Sequence, residues 1–155
     1  MEEKVYCLIR KQHVAALPEE KIRQRLISLM IEALGFPFPY LAIEKNLKQM
    51  PHLQLTSQKI PNRRADLICY SKDIHPVHSL YPLLLVECKA VPLKDAVIQQ
   101  VVSYNQFLKA YFIAVANEKE VKTGWFDHQK KRYVFVEGMP CYQDLLKSVV
   151  SAHNP

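Results

Sequence analysis

The segment Tyr81-Pro82-Leu83-Leu84-Leu85-Val86-Glu87-Cys88-Lys89-Ala90 decides the fold. Its continuous apolar run, bounded by prolines at 82 and 92, is how a central strand buried on both faces reads. The run ends in charge. Side chains alternate along a strand, so Glu87 and Lys89 project from one side and Cys88 from the other. The plain reading of such a pair is an ion pair at the rim of a sheet.

Working outward changes that reading. The preceding segment, 64–70 (Arg-Ala-Asp-Leu-Ile-Cys-Tyr), predicts a shorter strand that follows Asn62-Arg63-Arg64. Hairpin-like pairing with the central strand brings Asp66 beside Glu87. Two carboxylates and a lysine suit Mg²⁺ chemistry, because that ion is held by one or two carboxylates plus waters and substrate phosphate. Asp66 and Glu87 are then the expected ligands, with the Cys88 backbone carbonyl as a further oxygen. Lys89 is placed to orient a nucleophile as a base or to offset charge on phosphate. The reaction expected is phosphodiester hydrolysis, with Mn²⁺ as a substitute ion.

Leu17-Pro18 precedes apolar residues at 22, 26, 29, 30, 33 and 34, which predicts an amphipathic helix over 18–34 stopped by Gly35. A strand is expected at 40–47, a helix at 93–110, a buried strand at 111–116, a hairpin at 125–136 turning at 127–131, and a last helix at 142–152. This order implies an α/β sandwich with a central mixed sheet flanked by helices. At 155 residues the chain is expected to be one domain, 1–155.

Several function classes are excluded by composition. Three glycines, at 35, 124 and 138, leave no Gly-rich phosphate loop. The four cysteines, Cys7, Cys69, Cys88 and Cys141, form no Cys-x-x-Cys pair and are expected as reduced, buried thiols. His75-x-x-His78 lacks the companions of a zinc site. No secretory signal and no membrane span are visible, so a cytoplasmic protein is expected. A net charge of +6 favours a polyanionic partner.

Basic clusters at Arg63-Arg64 and Lys130-Lys131-Arg132 can meet a phosphate backbone, or can be solvated turns. Trp125, Phe126, Tyr133 and Phe135 alternate in the hairpin as core-packing aromatics do, with base stacking as the other reading.

Asp66, twenty intervening residues and Glu87-Cys88-Lys89, followed by Gln100-Val-Val-Ser-Tyr104, resemble the Asp…Glu-x-Lys and Gln-x-x-x-Tyr elements of restriction-endonuclease-like nucleases. Ile9-Arg10-Lys11, Pro18-Glu19-Glu20-Lys-Ile-Arg-Gln24, Gly35-Phe36-Pro37, Tyr104-Asn105 and Val115-Ala116-Asn117 extend the resemblance. Together they are similar to the N-terminal nuclease domain of type I restriction enzyme R subunits. The resemblance implies a restriction-endonuclease-like fold, a Mg²⁺-dependent endonuclease acting on DNA, and Gln100 and Tyr104 as supports of the site.

It also implies an acidic residue on the first helix. Both Glu19 and Glu20 match, Glu19 nearer the centre of the apolar arc. The helix at 93–110 is expected to turn Leu93, Val97, Gln100, Tyr104 and Phe107 or Leu108 inward. Ala116-Asn117-Glu118 departs from the family's Thr-Asn-Gly by lacking a turn glycine. No translocase motor follows, so a standalone domain is expected, with other protein subunits or a homodimer as partners. Two alternatives stay open: RNA as substrate, and a non-catalytic nucleic-acid-binding or protein-interaction module of the same fold.

Overall fold

The computed structural model describes residues 2–54 and 59–153. Strands β1 (Lys4–Cys7) and β2 (Gln12–Ala15) form a separate hairpin that the sequence reading did not anticipate. Helix α1 (Pro18–Glu32) follows. The main sheet comprises β3 (Leu41–Asn46), β4 (Arg64–Lys72), β5 (Leu80–Cys88), β6 (Phe112–Ala116), β7 (Val121–Asp127) and β8 (Arg132–Glu137). These strands lie side by side in chain order, and every pair is antiparallel except β5 and β6. A parallel pair needs a crossover, which α2 (Asp95–Leu108) supplies. Helix α3 (Tyr142–His153) is the last described element. The expected α/β architecture, a mixed sheet flanked by helices, is the one found.

Two cores cover the faces of the sheet. Ile22, Leu26, Ile27 and Met30 of α1 and Tyr142, Leu145 and Val149 of α3 pack with Leu67, Cys69, Val86 and Cys88 on one face. Val101, Tyr104 and Leu108 of α2 pack with Ile68, Leu85, Ile113 and Val115 on the other. Burial on both faces explains the unbroken apolar reading of β5 and β6. Pro82, which has no N–H for a ladder, sits where the β4–β5 register shifts: Cys69 pairs Leu84 while Tyr70 pairs Pro82, leaving Leu83 as the extra residue.

Local signals set the boundaries. Gly35 takes φ 71°, the left-handed conformation that lets the Phe36 N–H return to the Met30 carbonyl at 3.0 Å. The missing glycine after β6 is replaced by side-chain chemistry. Asn117 Oδ1 accepts from the N–H groups of Lys119 (2.9 Å) and Glu120 (2.8 Å), and its Nδ2 donates to the Val91 carbonyl (3.0 Å). The turn is thereby tied to the loop after β5.

Gly124 faces Phe135 across the β7–β8 pair, and a Cβ there would lie 2.6 Å from the Phe135 ring and 2.8 Å from the Val134 carbonyl. Gly124→Ala is therefore expected to cost about 1–3 kcal/mol of stability through overpacking. Urea denaturation measures it, and adding Phe135→Leu should recover part of the loss.

Candidate active site

The β4–β5 pairing runs from Lys72↔Leu80 to Leu67↔Val86 and then opens. At the opening, side chains replace the ladder. Asp66 Oδ2 accepts the Cys88 backbone N–H at 2.8 Å, and the Glu87 carboxylate in turn faces the Asp66 backbone N–H. The sequence pattern thus does bring Asp66 and Glu87 together. Glu87 lies on the α2 side, whereas Cys88 enters the α1 and α3 core, as strand alternation predicts. Cys7, Cys69 and Cys88 are buried and free, and Cys141 is half-buried.

Burial and the neighbouring Asp66 charge push the Glu87 carboxyl up to about 7, against the opposing influence of Lys89, the Asp66 N–H and Arg63. A carboxyl raised in the folded state favours folding while protonated, so its contribution is complete below the ordinary value near 4.5 and is lost as pH rises toward 7. Metal-free Glu87→Gln keeps a neutral side chain at every pH. It should be more stable than the parent at pH 8, by up to about 3 kcal/mol, and nearly equal to it at pH 4. Paired urea titrations at the two pH values read this difference.

Asp66 has a second partner, which the sequence reading missed. Arg23 Nη1 donates to Asp66 Oδ1 at 2.7 Å, and Arg23 Nε donates to Glu20 Oε2 at 2.7 Å. Arg23 is only 4% exposed and Glu20 8%. Arg10, from the β1–β2 turn, donates to Glu20 Oε1 at 2.9 Å and pairs with Glu44, whose other oxygen lies 3.5 Å from Arg23. Burial disfavours the Arg23 charge, but Asp66 and Glu20 outweigh it and raise its pKa further. Burial likewise disfavours the Glu44 charge, and Arg10 and Arg23 outweigh it, lowering that carboxyl.

Glu44 reaches this network from a left-handed backbone, φ 48°, where the β3–β4 pairing skips from Ile43↔Leu67 to Lys45↔Ala65. Such backbone is unfavourable for a residue with a Cβ. One signal did exist in the sequence: Arg23 sits on the apolar arc of α1 beside Ile22 and Leu26, and a charge there needs partners.

The two acids of the first helix, which the sequence leaves unseparated, differ in placement, with the reverse of the burial that the helical wheel suggests. Glu20 is buried in the network, whereas Glu19 is exposed and only lines the cleft in front of it. That cleft, about 550 Å³, is bounded by Leu17, Pro18, Glu20, Glu44, Asp66 and Ala90, among others. The expected inward stripe of α2 also needs correcting. The buried residues are Ile98, Val101, Tyr104, Asn105 and Leu108, and Gln100 is exposed. The stripe is centred one position later than expected, and Asn105 on it binds the Ala110 N–H and carbonyl.

Tyr104 is buried as expected, its hydroxyl without a hydrogen-bond partner among the described residues and its pKa raised by burial and then by Glu87. Arg63 lies over its ring, 4.4 Å from the centroid. Arg64 is exposed, and Lys130 and Lys131 occupy the far β7–β8 turn with Arg132 at the start of β8. The aromatics of that hairpin divide. Trp125 packs into the α1 and α3 core, Tyr133 and Phe135 pack toward α2, and Phe126 stays exposed.

Among the described residues, no group of three or more His, Cys, Asp or Glu side chains is placed to share a metal ion. The donor set that does exist is the pair Asp66 and Glu87. It fits a hard divalent cation, which takes one or two carboxylates and leaves other positions to water or substrate. Burial first, and then the Asp66 charge, raise the Glu87 carboxyl at this pair.

The family model for the N terminus of the type I restriction enzyme R protein matches residues 18–140. The chain belongs to this family. No curated protein and no solved structure matches the chain significantly. The R-protein match begins at Pro18, so the β1–β2 hairpin lies outside it, although Arg10 of that hairpin is joined to Glu20 and Glu44. Among the described residues, no helix is long and apolar enough to cross a membrane.

Proposed function

We propose that this R-protein N-terminal domain is a Mg²⁺-dependent endonuclease acting on DNA, with Mn²⁺ as a working substitute. The observation that supports the reading is the opening of β4 and β5, where Glu87 feels the charges of both Asp66 and Lys89 and Asp66 borders a cleft against α1. Asp66 and Glu87 are the residues that would hold the ion, with the Cys88 carbonyl as a further oxygen. Bound there, the ion would supply Lewis-acid polarisation of the scissile phosphate.

The remaining work belongs to the chain. Lys89 orients the attacking water or offsets charge on the phosphate as the P–O bond breaks. Tyr104 offers a hydroxyl close to Glu87, and Arg63, held on the Tyr104 ring, offers a guanidinium to a neighbouring phosphate. Glu20 acts through Arg23 to fix the Asp66 carboxylate. Gln100 and Arg64 are both exposed, which fits contact with substrate rather than packing. DNA and other restriction subunits are the partners this family membership suggests.

One observation favours the non-catalytic module instead: Asp66 and Glu20 already share a buried arginine. The test is plasmid nicking in Mg²⁺ or Mn²⁺ by the parent protein, Glu87→Gln and Lys89→Ala. Nicking lost in both folded variants supports the nuclease, whereas DNA binding in EDTA without nicking on metal addition supports the module.

A further inference from the structure

On the α2 side of the sheet, the β7–β8 hairpin and α2 line a groove of about 620 Å³ that includes neither Asp66 nor Glu87. Three rings line it, Phe126, Tyr133 and Phe135. Tyr133 and Phe135 lie 6.4 Å apart between centroids with planes 30° apart, and Phe126 meets Tyr133 edge-on at 5.7 Å and, outside the groove, His128 at 5.0 Å. The rings are built into the fold. Phe135 lies across Gly124, where a Cβ would meet its ring, and the Tyr133 hydroxyl is tied to Asn105 Nδ2 at 3.0 Å. Phe126, 42% exposed, has its ring open to the groove.

The walls are polar and the rim is cationic. Gln99 and Gln106 of α2 line one wall, and Lys122 and Arg132 line the other, with Lys130 and Lys131 on the adjoining turn. Acidic groups are few and partly engaged. Asp95 lines the groove, Asp127 accepts the Gln129 and Lys130 N–H groups, and Glu137 stands 3.9 Å from Lys122. Rings that stack, amides that pair with base edges and cations along a backbone track together describe a single-stranded polyanion with flat bases. A duplex keeps its base faces covered, and an apolar protein segment would leave the amide wall and the cations unpaired.

We propose that this groove binds single-stranded DNA, with Phe126 as the exposed stacking ring and Lys122 and Arg132 as phosphate contacts. It rests on the reading above only for the choice of DNA, and it places an unpaired strand on the face of α2 away from the Tyr104 side. Fluorescence anisotropy in EDTA with a labelled thymidine oligomer and with a duplex of equal length tests it apart from cleavage. The oligomer should bind about tenfold more tightly than the duplex, and Phe126→Ala should lose about tenfold or more, with Phe126→Trp retaining affinity. Lys122→Ala and Arg132→Ala should each reduce the log–log salt slope by about 0.7. Equal binding of duplex and oligomer, or an unchanged affinity in Phe126→Ala, overturns the proposal. Because anisotropy in EDTA reads binding without any metal, its outcome stands whether or not the protein nicks DNA.

Discussion

Arg23→Met is expected to lose about 3–5 kcal/mol of unfolding free energy, the largest stability effect of any single change considered for this chain. The reason is geometric. One buried guanidinium serves Glu20 at 2.7 Å and Asp66 at 2.7 Å, and also lies 3.5 Å from Glu44. Methionine fills much of the same volume but leaves Glu20 and Glu44 to Arg10 and Asp66 to the Cys88 N–H, and breaking a buried pair from one side strands its partner's charge. Arg23→Lys keeps the charge without the planar fork that spans two carboxylates, so it should fall between the two.

The loss should also depend on pH. Glu44 is held below the ordinary carboxylate range by Arg10 and Arg23, so its contribution is present above its unfolded value and is lost as pH falls through the folded one. The gap between parent and Arg23→Met should therefore narrow in acid. Urea denaturation at neutral and acid pH measures both effects. A variant within about 1 kcal/mol of the parent at neutral pH would show that these ion pairs are screened like surface ones.

Glu87→Gln and Lys89→Ala are expected to lower nicking by about 10²-fold or more each, while both remain folded. Neither change should be explained by unfolding. Glu87→Gln removes a carboxyl that burial and Asp66 already disfavour when charged, so the metal-free variant gains stability as it loses function. Lys89 is half-buried, and its backbone N–H bond to the Ala116 carbonyl at 2.8 Å survives truncation of the side chain. A residual activity near the parental level in either variant, with folding intact, removes that residue from the chemistry.

Much of this arrangement was legible in the sequence because single strands advertise it. The run ending in Glu87-Cys88-Lys89 stated both burial and the face of each side chain, and the pairing that joins Asp66 to it follows from adjacency of β4 and β5. What stayed hidden is tertiary. Glu44 enters the site through a left-handed kink in a strand, and Arg10 through a hairpin of four-residue strands whose alternation is too short to read.

Gln100 and Glu19 show the other difficulty. A helical wheel fixes angles between residues but not which arc meets the sheet, and one position of rotation exchanges Glu19 for Glu20 and Gln100 for Val101. Asn117 did the reverse, supplying by its side chain the turn that an absent glycine was expected to disturb.

The most direct test of the central claim is calorimetric titration of Mn²⁺ into the parent protein and into Asp66→Asn at pH 8, with plasmid nicking on the same samples. The account predicts saturable binding and nicking in the parent, and loss of both in the folded variant. Equal Mn²⁺ binding by the two proteins, or nicking that persists without the Asp66 carboxylate, would contradict it.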